Sequence, residues 1–182
     1  MPLTDEGPIL CAQRSPPEAA LPAKNAPQDM IANIRPYTAQ DRAACQAVFY
    51  HAVRVGTAAR YTQAQREAWA PSPTPPATPD RLLTQWCFVA ADTEGLTGFM
   101  SMTNTGHLDM AFVLPRVMGT GVAGALYQAL MPQAAGLQRL TTHASHLARP
   151  FFTRRGWQVV EAQDHPHNGQ IFERFAMAWT AP

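Results

Sequence analysis

Between Val113 and Leu126 the chain reads Val-Leu-Pro-Arg-Val-Met-Gly-Thr-Gly-Val-Ala-Gly-Ala-Leu, an order of residue types suited to holding a phosphate. An apolar strand, His107 to Leu114, meets a proline, and Gly119, Thr120 and Gly121 then form a turn. A helix follows at once, with Val122, Ala125, Leu126, Ala129 and Leu130 on one stripe. Glycines ahead of a helix let the backbone approach a ligand closely. The first-turn N–H groups and the helix dipole favour an anion.

Two familiar phosphate motifs fit poorly. A P-loop ends in Gly-Lys-Ser/Thr, and no lysine follows Lys24. A dinucleotide turn needs Gly-x-Gly-x-x-Gly, which Gly119, Gly121 and Gly124 supply, and an acid about 20 residues further on. Thr141 to His146 lie there, with no acid among them.

Acid–base candidates surround the turn. Asp109 interrupts the apolar strand, and period-two alternation sets it on one face with His107, Ala111 and Val113. Partial burial there would favour its neutral form. The plainer expectation is a carboxylate bonded to a neighbouring backbone group or arginine. His143 ends the strand after the helix, and His146 lies three residues on; imidazole titrates in the useful range. His165 and His167 flank Pro166 in an expected loop, at a spacing that fits no metal pattern, so no metal site is expected.

A second segment, Ser145-x-x-Ala148-x-x-Phe151-Phe152-x-x-Arg155-Gly156-Trp157, follows the glycine turn after a short strand. In that order the two segments resemble the GNAT superfamily of acyl-CoA-dependent N-acetyltransferases, over about residues 34 to 179. The resemblance implies acetyl-CoA as co-substrate and a small-molecule amine as acceptor, with direct transfer in a ternary complex. It implies that Met118, Gly119, Thr120, Gly121, Val122 and Ala123 cradle the pyrophosphate, and that the main chain at Val113 meets the pantetheine. The resemblance also places Ser145 and Phe152 among the cofactor-binding residues, and Ser145 stands where the family has Asn. Phe152 stands where many members place a tyrosine that protonates the departing thiolate, and it carries no hydroxyl. Met118 likewise replaces a polar residue, with Arg116 two positions earlier.

Asp109 is then the first candidate for the base, with His143 near the meeting of the two motifs. Proton delivery is left to Tyr127, His146 or water. Tyr61 and Trp69, in Tyr-Thr-Gln-Ala-Gln-Arg-Glu-Ala-Trp, resemble a segment that roofs the acceptor site in a bacterial GNAT subgroup, and His51 with Arg54 are further candidates there. An alternative follows from Phe152 and Met118: a GNAT-like module that binds an acyl-CoA without catalysing, as a sensor or scaffold.

These side chains need elements to position them. Ile34 to Pro36 reads as a strand, with Thr38 and Asp41 opening a helix that buries Cys45, Val48, Phe49, Ala52 and Val53. Thr62 and Gln65 form a capping-box pattern ahead of a second helix. Pro71, Pro73, Pro75, Pro76 and Pro79 make a stiff, exposed connection. Strands Cys87 to Ala91, Leu96 to Met102 and His107 to Leu114 are separated by turns at 92–95 and 103–106 that suit antiparallel hairpins. After the glycine-turn helix come strand Arg139 to His143, helix Leu147 to Arg154, and strands Gln158 to Ala162 and Ile171 to Trp179. The expected fold is α/β: a GNAT-like, mixed but mostly antiparallel sheet of six or seven strands with helices on both faces.

Composition narrows the partners. The chain has 182 residues and a formal net charge of +1, which gives no broad attraction to nucleic acid or to a membrane surface. No apolar run approaches a membrane span, and the N-terminus lacks a signal-peptide pattern. Cys11, Cys45 and Cys87 are odd in number and lack metal-ligand spacing, so a cytoplasmic location is expected. Residues 1–33 carry six prolines and little apolar patterning and are expected to be a disordered tail before a single domain, 34–182. Met30 is a candidate start of translation. A homodimer is compatible with the family, though no residue pattern marks an interface.

Overall fold

The computed structural model describes residues 33–181. The expectations of a disordered tail and of a start at Met30 concern residues outside that range, apart from Asn33.

Seven strands form one sheet in the order β1-β2-β3-β4-β5-β7-β6. They are β1 Asn33–Pro36, β2 Trp86–Asp92, β3 Gly95–Met102, β4 His107–Val113, β5 Arg139–Ala144, β6 Gln158–His167 and β7 Gln170–Thr180. Both expected hairpins form: β2 pairs antiparallel with β3, and β3 with β4. Gly95 and Gly106 take φ of +127° and +86° in the two turns, a region that costs glycine nothing. β4 and β5 are the parallel pair; all other neighbours run antiparallel.

Alternation along β2 and β3 splits the core between two faces. Val89 and Phe99 turn toward helix α1, Arg42–Arg54, where Cys45 and Val48 are buried. Their neighbours Ala90 and Met100 turn the other way, toward α3, Val122–Leu130. Val122, Leu126 and Leu130 recur every four residues on α3, which is why that helix seats on the sheet along one stripe. Phe152 of α4, Arg149–Thr153, and Trp157 complete the α3 side. The helix α2, Gln63–Trp69, is capped as expected, with Thr62 Oγ1 accepting from the Gln65 N–H.

Three details depart from the sequence reading. The helix expected over Leu147 to Arg154 is shorter, because residues 145–148 form the turn that leads into it. β6 extends to His167, so His165 and His167 lie on a strand paired with β7 rather than in a loop. Thr38 and Asp41 open a short 3₁₀ turn, not α1 itself. There the Asp41 carboxylate takes both Arg35 guanidinium nitrogens at 2.7 Å and the Thr38 N–H at 2.9 Å. The Arg35 pairing holds its acid down to about 2.

Candidate active site

The sheet opens where its parallel pair stops. β4 and β5 are in register only at His107↔Thr141 and Leu108↔Thr142, pinned by Thr142 Oγ1 donating to the Leu108 carbonyl at 2.8 Å. Beyond those residues the strands part. β4 stays paired with β3 up to Val113, and β5 with β7 up to Ala144. The facing edges of 109–113 and 143–144 therefore carry backbone N–H and C=O groups with no strand partner, a row an extended ligand can pair with.

The glycine turn lies at the end of this opening. Pro115–Val117 form one 3₁₀ turn, and Gly119 and Gly121 follow with φ of +78° and +99°. A Cβ on either would meet no atom within 4 Å. The turn is thus a shallow open cradle, not a packed corner. Gly121 caps α3, so Val122, Ala123 and Gly124 present N–H groups that have no intrahelical acceptor. Met118 is 45% exposed at the rim, and Thr120 Oγ1 is turned inward, donating to the Val117 carbonyl at 2.8 Å. Arg155 reaches over this first turn: its Nη2 comes within 3.1 Å of the position a Gly124 Cβ would take. Its guanidinium lies 3.7 Å from the centre of the Phe151 ring. Arg116, two positions before Met118, is paired with Asp92 at 2.6 Å.

A cavity of about 520 Å³ lies on the α1 and α2 face of the sheet. Asp109 and His143, Ser145, Tyr61 and Trp69 all line it. That brings together residues 84 positions apart in sequence.

How Asp109 reaches the cavity corrects the expected alternation. Ser101 pairs with Met110 but Met102 pairs with Leu108, so Asp109 is the extra residue of a β-bulge. Leu108 therefore shares the α3 face with Ala111 and Val113, while Met110 and Phe112 turn to the opposite face. Asp109 lines the cavity beside those two rather than lying over Ala111 and Val113. Its carboxylate accepts from Gln85 Nε2 at 2.8 Å and pairs with Arg81 at 3.3 Å, leaving the side chain 20% exposed. The plainer expectation, an acid bonded to an arginine, thus holds alongside its cavity position.

His143 is exposed to the cavity, and its ring stacks at a tilt 5.3 Å from His107. Burial first, then the charges of Arg174, His107 and His165, push its imidazole below the usual histidine range. The neutral form is favoured there. Ser145 Oγ accepts from the Ala148 N–H at 3.2 Å, as a cap. Tyr61 is 6% exposed, its Oη accepting from the His146 N–H at 3.4 Å, and burial pushes its phenol up. His146 Nε2 lies 2.7 Å from Glu173.

Other candidates stand apart. Tyr127 does not line the cavity: it lies on α3, its Oη accepting from Trp157 Nε1 at 3.0 Å. Phe152 is 1% exposed, packed against Phe151 and Trp157 in the α3-side core. His51 is exposed on α1 beside Tyr50 and also lies outside the cavity. His165 and His167 do line it, stacked at 6.2 Å. Among the described residues, no three His, Cys, Asp or Glu side chains gather in a metal-binding group.

Sequence reasoning missed the opposite wall. The proline-rich stretch is no mere connection: Pro75, Pro76, Thr78 and Pro79 form one side of the cavity. Arg42 of α1 holds that strap by donating to the carbonyls of Pro76 and Thr78, and Gln46 Nε2 holds the Ser72 carbonyl at 2.8 Å. Asp80, Arg81 and Gln85 come with it. The available signal was Asp80 after Pro79, an N-cap pattern; its Oδ1 accepts from the Leu82 N–H at 3.1 Å.

Comparison with known proteins agrees with this geometry. The acetyltransferase (GNAT) domain family matches residues 57–178, and the chain belongs to that family. It is 33% identical over 146 residues to a protein of Escherichia coli (strain K12) described as "uncharacterized N-acetyltransferase YafP", covering 80% of this chain and 94% of the other. A crystal structure described as a GCN5-related N-acetyltransferase from Rhodopseudomonas palustris superposes with a TM-score of 0.73 at 30% identity, covering 82% and 96% of the two chains. The Sinorhizobium meliloti phosphinothricin acetyltransferase, solved in complex with acetyl-CoA, shares the fold at 18% identity with a TM-score of 0.59, over 83% of this chain and 89% of its own. Among the described residues, no helix is long and apolar enough to cross a membrane.

Proposed function

We propose that this protein is an acetyl-CoA-dependent N-acetyltransferase that moves an acetyl group to the amine of a small molecule by direct transfer. The observation that carries the reading is the parting of β4 and β5 between the glycine cradle and the cavity holding Asp109. The glycines at 119 and 121 leave room for a pyrophosphate against bare N–H groups, and the unpaired edge of β4 suits an extended pantetheine. Bound there, acetyl-CoA supplies the activated acyl carbon.

Asp109, with His143 beside it in neutral form, takes the proton that the amine must lose to expose its lone pair. The β4 backbone N–H groups polarise the carbonyl. Nitrogen then forms the new C–N bond as the C–S bond breaks. The thiolate takes a proton from Tyr61, whose buried phenol stays protonated at neutral pH, in place of a tyrosine at Phe152. Two features support direct transfer over an acyl-enzyme. Among the described residues, Cys45 is the one thiol lining the cavity, and burial pushes it up to about 12, so it carries little thiolate. Ser145 is engaged as a cap, with no base on its oxygen. The buried, unoxidised Cys45 and Cys87 also support a cytoplasmic setting.

Titration calorimetry with acetyl-CoA, followed by thiol-release assays across amines, tests the reading. Binding with turnover is expected. Binding without turnover on any amine favours the alternative, a non-catalytic acyl-CoA module, which the buried, hydroxyl-free Phe152 supports. No binding ends both.

A further inference from the structure

Part of the cavity lining is built from aromatic rings. Phe49 of α1 meets Phe112 of β4 at 4.9 Å between ring centres, with planes 81° apart. Trp69 of α2 lies edge-on to Phe112 at 6.3 Å, to Tyr61 at 5.4 Å and to Phe172 of β7 at 5.8 Å. Four elements thus contribute to one continuous run of rings, all lining the cavity. The strap of prolines lines the same cavity, held by Arg42 and Gln46, so the space is preformed.

Charge in the cavity points the same way by default. Each carboxylate lining it already has partners: Asp109 has Gln85 and Arg81, Asp80 has the Tyr37 hydroxyl and the Leu82 N–H, and Glu173 has His146. The three arginines that line it balance those three acids. A polyamine or aminoglycoside needs several free carboxylates to replace the water around its extra ammonium groups, and none is on offer among the described residues. A nucleotide-like or polyacidic acceptor would need uncommitted arginines, yet Arg42 is spent on the strap, Arg81 on Asp109, and Arg174 on Gln163 at 3.2 Å.

We infer that the acceptor is a small amine that bears a planar aromatic ring on a short side chain, with the ring against the Phe49–Phe112–Trp69–Phe172 wall and the nitrogen toward Asp109. Edge-to-face contacts between rings add to simple burial, and a cavity of this size suits a small molecule with one polar end. This inference rests on the proposed acetyl transfer for its chemistry: the amine gives up one proton, gains the acetyl group, and the thiolate recovers a proton as free thiol.

The test compares 2-phenylethylamine with its saturated counterpart 2-cyclohexylethylamine, an amine of similar basicity and size but with no π-face. Spermidine and kanamycin serve as polycations. Thiol-release rates give kcat/KM, and calorimetry in saturating CoA gives each amine's Kd. The phenyl compound is expected to exceed the cyclohexyl compound by about tenfold in both, the scale of one good ring–ring contact. Trp69→Leu should erase that difference while leaving the Kd for acetyl-CoA unchanged. Equal affinity for the two amines, or tighter binding of spermidine or kanamycin, overturns the inference. Amine binding is also measured without CoA. Failure of acetyl-CoA to bind would therefore remove the transferase reading while the ring preference is still decided.

Discussion

Gln85 Nε2 donates to the Asp109 carboxylate at 2.8 Å across 24 residues of sequence, from the start of β2 to the bulge of β4. Gln85 Oε1 is buried with no partner among the described residues, so this amide is held through the bond its Nε2 donates to the acid. The contact fixes one carboxylate oxygen at the edge of the cavity.

Replacing Asp109 by Asn keeps the shape and removes the proton acceptor. We expect kcat to fall by about 10²-fold or more, with the Kd for acetyl-CoA unchanged, in steady-state assays paired with calorimetry. An unaltered kcat assigns the base elsewhere, His143 being next. Gln85→Leu should give a smaller loss in the same assay, since Arg81 still holds the carboxylate.

Gly121→Val strains the cap of α3, where φ is +99°, and fills the open cradle. The backbone term alone is about 1–2 kcal/mol. Affinity for acetyl-CoA should drop at least tenfold by calorimetry. Thr120→Val, which loses only an inward hydroxyl, should bind nearly as the parent does. Equal affinity in Gly121→Val would falsify the pyrophosphate assignment.

The imidazole of His143 lies below the usual range, chiefly through burial and then through Arg174. Its charged form is disfavoured, so it accepts a proton only as the pH drops beneath that lowered value. Arg174→Gln removes one of the opposing charges and should move the acidic limb of the kcat/KM profile to higher pH. A limb that stays in place takes His143 out of the proton path.

Far from the cavity, Asp41 gives a stability prediction. Its folded-state value of about 2 lies below that of an unpaired carboxylate, so the stabilisation is present above about pH 4 and disappears as pH falls toward 2. A shift of that size corresponds to about 2 kcal/mol. Urea unfolding of Asp41→Asn at pH 7 should show a loss of that order, shrinking steadily in acid. A difference that persists unchanged at pH 2 would point to packing, not charge.

What could be foreseen was local. Gly119 and Gly121, the two hairpin turns and the Thr62–Gln65 cap depend on residues a few positions apart, and the chain's own periodicity reveals them. The face of Asp109 was misjudged because a bulge is set by the register against β3, which alternation along β4 does not encode. Tyr127 looked available because nothing in the chain shows that Trp157, 30 residues later, donates to its hydroxyl. The strap was read as an exposed linker for the same reason: Arg42, which pins it, is 34 residues from Pro76.

The bulge in β4 also bears on how this chain can vary. One extra residue resets the phase of the strand, so that Asp109 looks one way while Leu108, Ala111 and Val113 look the other. The extra residue is Asp109 itself, so removing it would return β4 to plain alternation, with Leu108, Ala111 and Val113 still on one face and Met110 and Phe112 on the other. The sheet can therefore lose that one residue without repacking while the cavity loses its carboxylate, so a descendant with β4 one residue shorter would keep the fold and give up the acid.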